Sequence, residues 1–149
     1  MLNHRLIVPL EMDDLCDFLM RYYSHRMEDI QEIVDIVEEA ASAGRIASNV
    51  SLVDFAKRML FEGRDDAYFR VRSLALEVLR SPRRFNTTST GEGLALALLF
   101  DRKDWLGDET WAYAAYRVGR GWLEAIVQVE QDFKWMKLQI KGAVPNEAA

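Results

Sequence analysis

Hydrophobic residues recur along nearly the whole chain at the spacing of three or four residues that forms one face of an α-helix. Segments with this pattern cover residues 11–25, 27–41, 51–63, 65–82, 93–100, 108–118 and 121–140. Ser51, Asp108 and the Ser89–Glu92 pair, which has the spacing of a capping box, are typical helix starts. The sequence has no hairpin-like strand pairs and no internal repeat. The pattern predicts an all-α fold, a single-domain bundle of six or seven helices with short loops and no sheet.

The size and composition of the chain place it among ordinary globular proteins. Its 149 residues, half of them hydrophobic, fit one domain over 1–149, with an N-terminal arm at 1–10 and a frayed tail at 142–149. Cys16 is the only cysteine, which excludes a disulfide framework and favours a reducing compartment. The N-terminus does not have the pattern of a signal peptide, and no hydrophobic run is long enough to cross a bilayer. We therefore expect a cytoplasmic protein with no membrane contact.

An acidic row runs along the polar side of the second helical segment, MEDIQEIVDIVEEAA at residues 27–41. Four of its carboxylates fall within an arc of about 60° opposite Ile30, Ile33, Val34 and Val37: Glu28, Glu32, Asp35 and Glu39. A di-metal site would need Glu-x-x-His pairs directed into a bundle core, and a catalytic carboxylate pair would need burial to raise one pKa. A phosphate mimic that occupies a basic groove on another protein fits the row. An ordinary solvated helix face fits it as well and is the interpretation that the pattern favours.

The last helical segment carries two hydrophobic stripes, whereas a surface helix normally has one. The first consists of Trp122, Ala125, Ile126, Val129, Phe133, Met136 and Ile140. The second, on the other side, consists of Leu123, Val127, Trp135 and Leu138. Two stripes indicate either a central helix surrounded by the others or a helix whose second face binds a partner, for which tryptophan is a typical anchor. Both interpretations stay open.

The net charge is −5 and is unevenly distributed, because residues 1–50 hold four arginines against ten acidic residues. Two short segments elsewhere combine arginine with an aromatic residue. The first holds Arg80, Arg83 and Arg84 beside Phe85, and the second holds Arg117 and Arg120 beside Trp122. Such loops are a minimal nucleic-acid signature, but the acidic chain argues against nucleic acid as the main partner. Pairing of these arginines with the acidic row, within the protein or across a dimer, is an alternative.

The remaining candidates for chemistry have incomplete motifs. Cys16 and His25 lie on opposite sides of the first predicted helix, so they cannot form a nucleophile–base pair within it. The glycine-rich run TTSTGEG at 87–93 lacks the lysine and the preceding strand of a phosphate-binding loop, and a capping box explains it better. A site assembled around Asp101, Asp104 and Asp108 is the weakest hypothesis. We expect no catalytic residue, no metal site and no cofactor.

A resemblance covers residues 86–133. The run NTTSTGEGLALALLFDRKDWL, followed by AYAAYRVGRGWLEAIVQVEQDF, resembles the C-terminal part of small uncharacterised bacterial proteins carried on phages and plasmids. The shared features are a T-G-E-x-hydrophobic helix and a helix that ends in an R-x-G-x-x-W pattern. The resemblance implies a mobile-element origin and carries no catalytic residues. The first half of the chain does not share it.

These observations favour a non-enzymatic interaction protein that binds a protein partner or a second copy of itself as a homodimer. The second stripe of the last helix and the acidic row are the predicted contacts. A mobile-element origin would make the protein an inhibitor of a host complex, such as a defence complex. The alternative is a nucleic-acid-binding protein that uses the two arginine segments.

Overall fold

A computed structural model of the chain describes residues 8–144, and in this part of the chain the structure is helical with no strand. The all-α prediction is therefore confirmed. Seven α-helices follow in order: α1 (Pro9–Tyr22), α2 (Met27–Ser42), α3 (Leu52–Phe61), α4 (Asp66–Arg80), α5 (Thr90–Phe100), α6 (Trp111–Val118) and α7 (Arg120–Trp135). Two short 3-10 helices, Pro82–Thr87 and Lys103–Leu106, lie on either side of α5. None of the helices in residues 8–144 is long and apolar enough to cross a membrane.

The helices group into two compact units that divide between Arg64 and Asp65, so that α1–α3 form the first unit and α4–α7 the second. The single domain over 1–149 stays a prediction. Pro9 and Leu10 belong to the first turn of α1, not to an arm, and Val144 is buried, not frayed. The other residues of the predicted arm and tail, 1–7 and 145–149, lie outside the described residues, and so does His4.

In the first unit, the hydrophobic stripes of all three helices meet in one core. Leu15 and Leu19 of α1 are completely buried beside Val37 of α2 and Leu52 of α3. The Ser51 side chain accepts a hydrogen bond from the Asp54 N–H at 3.0 Å and starts α3 as the sequence predicts. Because α2 buries only the stripe that contains Val37, its opposite face is left for solvent or a partner.

In the second unit, α5 is the most buried helix and packs against α4, α6 and α7. The predicted capping box is present at its start. Ser89 Oγ accepts from the Glu92 N–H, and the Glu92 carboxylate accepts from the Ser89 N–H. The two bonds thus satisfy the N–H groups of Ser89 and Glu92, which would otherwise have to donate to water.

Three local predictions differ from the structure. Residues 82–87, predicted as a loop, form a 3-10 helix, and α6 is capped by Thr110 instead of Asp108. The last helix was predicted to reach residue 140 but ends at Trp135, so it is no longer than α2. The chain reverses after α7 because Lys137 has a left-handed backbone with φ of 56°.

Candidate interaction surfaces

The outer face of α7 presents Trp135, the most exposed of the large hydrophobic side chains in residues 8–144. Trp135 is 87% exposed and Val127 is 53% exposed, while Leu123 is half-buried. On its other side α7 buries one stripe only: Ala125, Ile126, Val129 and Phe133. The helix is therefore not surrounded by the others, and we call Leu123, Val127 and Trp135 the α7 surface.

Leu138 does not belong to the α7 surface, contrary to the prediction. Its N–H donates to the Phe133 carbonyl at 2.8 Å, and the Lys137 N–H donates to the Lys134 carbonyl at 3.0 Å. This pair of bonds is the Schellman motif, which turns the chain back toward its own helix. As a result Leu138 is buried, with 5% of its surface exposed.

A shallow depression of about 580 Å³ surrounds the Trp135 side chain. Gln131, Lys134 and Lys137 complete its lining. The indole is therefore accompanied by two cationic side chains and one amide, with no carboxylate among the lining residues. This surface suits a partner with a hydrophobic pocket and an acidic border.

A buried polar cluster fixes the end of α7 from the other side. Arg72 of α4 is 1% exposed and donates to Tyr68 Oη at 2.6 Å and to Met136 Sδ at 3.0 Å. Its guanidinium lies 3.7 Å from the Asp132 carboxylate and 4.8 Å from the centre of the Phe133 ring. The cluster thus anchors the turn of α7 that carries Trp135.

Tyr68 links Arg72 and Asp132 through hydrogen bonds of its hydroxyl. Its hydroxyl donates to Asp132 Oδ2 at 2.5 Å. Burial raises the pKa of Tyr68 to about 12. The charge of Arg72 opposes this shift, and the hydrogen bond to Asp132 adds to it. The contact between Arg72 and Tyr68 could have been predicted from the sequence, because the two residues are four positions apart on one helix.

The acidic row forms a continuous charged face on α2. Glu28, Glu32, Asp35 and Glu39 are all exposed. Gln31 Nε2 donates to the Asp35 carboxylate at 2.8 Å, and no arginine or lysine of residues 8–144 forms an ion pair with any of the four. The row is therefore not neutralised within the described part of the chain.

The five arginines of the two basic segments differ in exposure and in ion pairing. Arg80 and Arg83 are exposed, but Arg84 Nε lies 3.0 Å from the Glu77 carboxylate and is partly neutralised. Arg117 and Arg120, at the junction of α6 and α7, are exposed and form no ion pair within residues 8–144.

A cleft of about 610 Å³ joins Arg117 to the start of α5. Residues 89–92 and Trp122 line it together with Val118. Burial opposes ionisation of Glu92, but hydrogen bonds from Arg70 and Ser89 outweigh it and lower the pKa of Glu92. The Glu92 carboxylate in this cleft is therefore ionised and already paired with Arg70.

Asp101, Asp104 and Asp108 are in different local environments. Asp101 ends α5 in a left-handed conformation, and Asp108 is exposed. Asp104 accepts two hydrogen bonds from Arg102, at 2.8 and 2.7 Å, and the bond from Arg102 lowers the pKa of Asp104. A carboxylate held ionised by a guanidinium is a poor general acid or base.

The Cys16 thiol is partly buried and close to the charges of two aspartates. Burial, followed by the charges of Asp13 and Asp17, raises the pKa of the Cys16 thiol, which makes it a weaker nucleophile at neutral pH. Across residues 8–144, no three side chains of the His, Cys, Asp or Glu types are placed to hold a metal ion.

No family model, no curated protein and no solved structure matches this chain.

Proposed function

We propose that this protein acts by binding another protein, without a catalytic step, and that the α7 surface is its principal contact. The observation that carries the proposal is the exposure of Trp135, which leaves 87% of a large indole in water. Tryptophan is among the residues that most often dominate binding energy at interfaces, because its burial removes much apolar area from water.

The anchoring of α7 supports this role. Phe133 is completely buried, and Asp132 and Met136 contact the buried Arg72, so the helical turn that carries Trp135 is held in place from below. A side chain presented on a fixed backbone loses less conformational freedom on binding than one on a mobile loop. The α7 surface is therefore preorganised for a partner.

The acidic row supplies a second contact in the proposal. Its four carboxylates have no ion-pair partner within residues 8–144, and they suit a basic surface on another macromolecule. The resemblance of residues 86–133 to mobile-element proteins supports a narrower form, in which the protein inhibits a host complex and the row occupies a basic surface of that complex.

A capture experiment with matched variants tests the α7 surface. The tagged full chain is used to recover proteins from a lysate of its own host, beside Trp135→Ala and Tyr116→Ala. We expect Trp135→Ala to lower affinity by about 2 kcal/mol or more, roughly thirtyfold, so that specific proteins are lost. Tyr116→Ala is the control, since Tyr116 is 83% exposed on α6 and both changes leave the core intact.

Two outcomes contradict the proposal. Recovery of the same proteins by wild type and Trp135→Ala in equal amounts shows that the α7 surface is not the contact. A wild-type chain that recovers no specific protein and remains a monomer in light scattering removes the interaction hypothesis as a whole.

Nucleic-acid binding is the second candidate function, and one observation favours it. The outer face of α6 presents Tyr113 and Tyr116, 41% and 83% exposed, beside Arg117 and Arg120, which form no ion pair within residues 8–144. Exposed aromatic rings with arginines can stack on bases and contact phosphates of single strands. Against it, Arg84 is paired with Glu77 and the chain has a net charge of −5. Binding of a labelled single strand that is lost in Tyr116→Ala and kept in Trp135→Ala would favour this candidate.

A further inference from the structure

A groove in the first unit combines a hydrophobic floor with two arginines. It has a volume of about 460 Å³ and lies along α3 and the segment that precedes it. Its lining residues are Arg45, Ile46, Ala47, Val50, Phe55, Arg58, Met59 and Glu62. Phe55 and Val50 are half-buried and Met59 is 41% exposed, so the floor is accessible apolar surface.

The groove has uncompensated positive charge. Arg45 and Arg58 are exposed, and neither forms an ion pair with any side chain of residues 8–144. Glu62 is the one acidic residue among the lining residues. The groove therefore suits an occupant that offers an apolar side chain with carboxylates on both sides of it.

The α2 helix of this same chain offers that arrangement. Ile36 is 42% exposed, although isoleucine is usually buried. Glu32 is four residues before it and Glu39 three residues after it, which makes both of them its neighbours on the helix surface. The two carboxylates are about 10 Å apart along the helix axis, with the isoleucine between them.

Within one molecule these groups do not meet. The face of α2 that contains Ile33, Val34 and Val37 is buried in the core of the unit, so the acidic row faces away from that core. No ion pair in the described part of the chain joins Glu32 or Glu39 to either arginine of the groove. Since a helix cannot turn its outer face inward without losing its core contacts, the match must be made between two molecules.

We propose that α2 of one molecule docks into the α3 groove of a second copy of the same chain. Ile36 packs on Phe55 and Met59, while Glu32 and Glu39 pair with Arg45 and Arg58. A reciprocal exchange gives a two-fold dimer with two such contacts, and a one-way contact gives a head-to-tail chain. This contact uses two carboxylates of the acidic row, so it competes with binding of the row to a host complex. It does not use the α7 surface and does not depend on it.

Complementary charge reversal tests the proposal. One full-length variant carries Glu32→Arg and Glu39→Arg, and the other carries Arg45→Glu and Arg58→Glu. Each alone places like charges opposite one another and is expected to self-associate at least about tenfold more weakly than wild type. Mixed together, both contacts again join opposite charges, so association returns to near the wild-type level, as measured by analytical ultracentrifugation.

Controls separate this inference from the proposed function. Trp135→Ala is expected to self-associate as the wild type does, even where it loses its partner. If a charge-reversed chain does not fold by circular dichroism, Glu32→Gln with Glu39→Gln is the milder substitute and should weaken association as well. A wild type that stays monomeric, variants that associate unchanged, or a mixture that does not recover would each overturn the docking.

Discussion

Arg72 is almost completely buried in the second unit, in surroundings that a charged side chain ordinarily avoids. Its charge is compensated by the Asp132 carboxylate, the Tyr68 hydroxyl and the ring of Phe133. Removal of one partner leaves the others buried with an unmet hydrogen bond, which costs more than the bond itself contributes. The cluster is therefore sensitive to single substitutions.

Tyr68 makes the stability of the second unit dependent on pH in the alkaline range. Its pKa rises from 10 to about 12 on folding, so the folded state holds the phenol proton more tightly than the unfolded state. This contribution is complete below about pH 10, where both states are protonated, and is lost as pH rises toward 12. We expect the wild type to lose roughly 2 kcal/mol of stability over that interval from this group.

Tyr68→Phe tests this dependence. The variant should be less stable at neutral pH by about 1–3 kcal/mol, because Arg72 and Asp132 each lose a hydrogen-bond partner. Its stability should then fall less steeply between about pH 10 and pH 12. Urea denaturation across this range measures both effects, with Tyr116→Phe as the exposed control. An unchanged pH slope in Tyr68→Phe would show that another group titrates.

At the scale of elements, the starts of α5 and α6 show how far local sequence determines a helix. For α5 the Ser89–Glu92 spacing predicted the capping box that is observed. For α6 the sequence offers two acceptable caps, Asp108 and Thr110, and the structure uses Thr110. The Glu109 N–H already closes a turn with the Leu106 carbonyl at 3.2 Å, which delays the start of the helix.

Substitution of the two candidate caps should separate them. Thr110 Oγ1 accepts a hydrogen bond from the Tyr113 N–H at 3.1 Å, so Thr110→Ala is expected to lower the free energy of unfolding by about 1 kcal/mol. Asp108→Ala should change it by less than about 0.5 kcal/mol, since Asp108 is exposed and outside the helix. Urea denaturation of both variants is the measurement. The reverse order of effects would contradict this assignment.

At the scale of the whole molecule, the two proposed contacts carry charge of opposite sign. Residues 1–50 contain ten of the acidic residues, including the acidic row, whereas the α7 surface ends beside Lys134 and Lys137. The two proposed contacts therefore differ in kind. Docking through the acidic row is mainly electrostatic, and the contact through Trp135 is mainly apolar.

Ionic strength should distinguish the candidate functions. A partner bound through Trp135 is expected to lose less than about threefold in affinity for a fourfold rise in salt, because apolar burial is weakly screened. Nucleic acid bound through Arg117 and Arg120 should lose about tenfold over the same rise, as two phosphate contacts predict. Titration with a labelled single strand and with the captured protein measures both. No shift of the strand at low salt would remove the nucleic-acid candidate.

The sequence by itself determined the all-α fold of residues 8–144, since hydrophobic stripes mark most of the helices and side-chain caps start α3, α4, α5 and α6. It also placed the acidic row correctly on an exposed face of α2, because the charge of a helix side follows from the spacing alone. These features depend on neighbours within a few residues, which the sequence contains in full.

Only the tertiary structure decided which hydrophobic side chains are covered. Trp135 and Leu138 belong to one stripe in the sequence, yet one is exposed and the other buried, because the chain reverses at Lys137. The burial of Arg72 likewise depends on Asp132, sixty residues away in the chain. Burial is set by contacts between distant segments, and the spacing of residues along one helix does not record what lies opposite it.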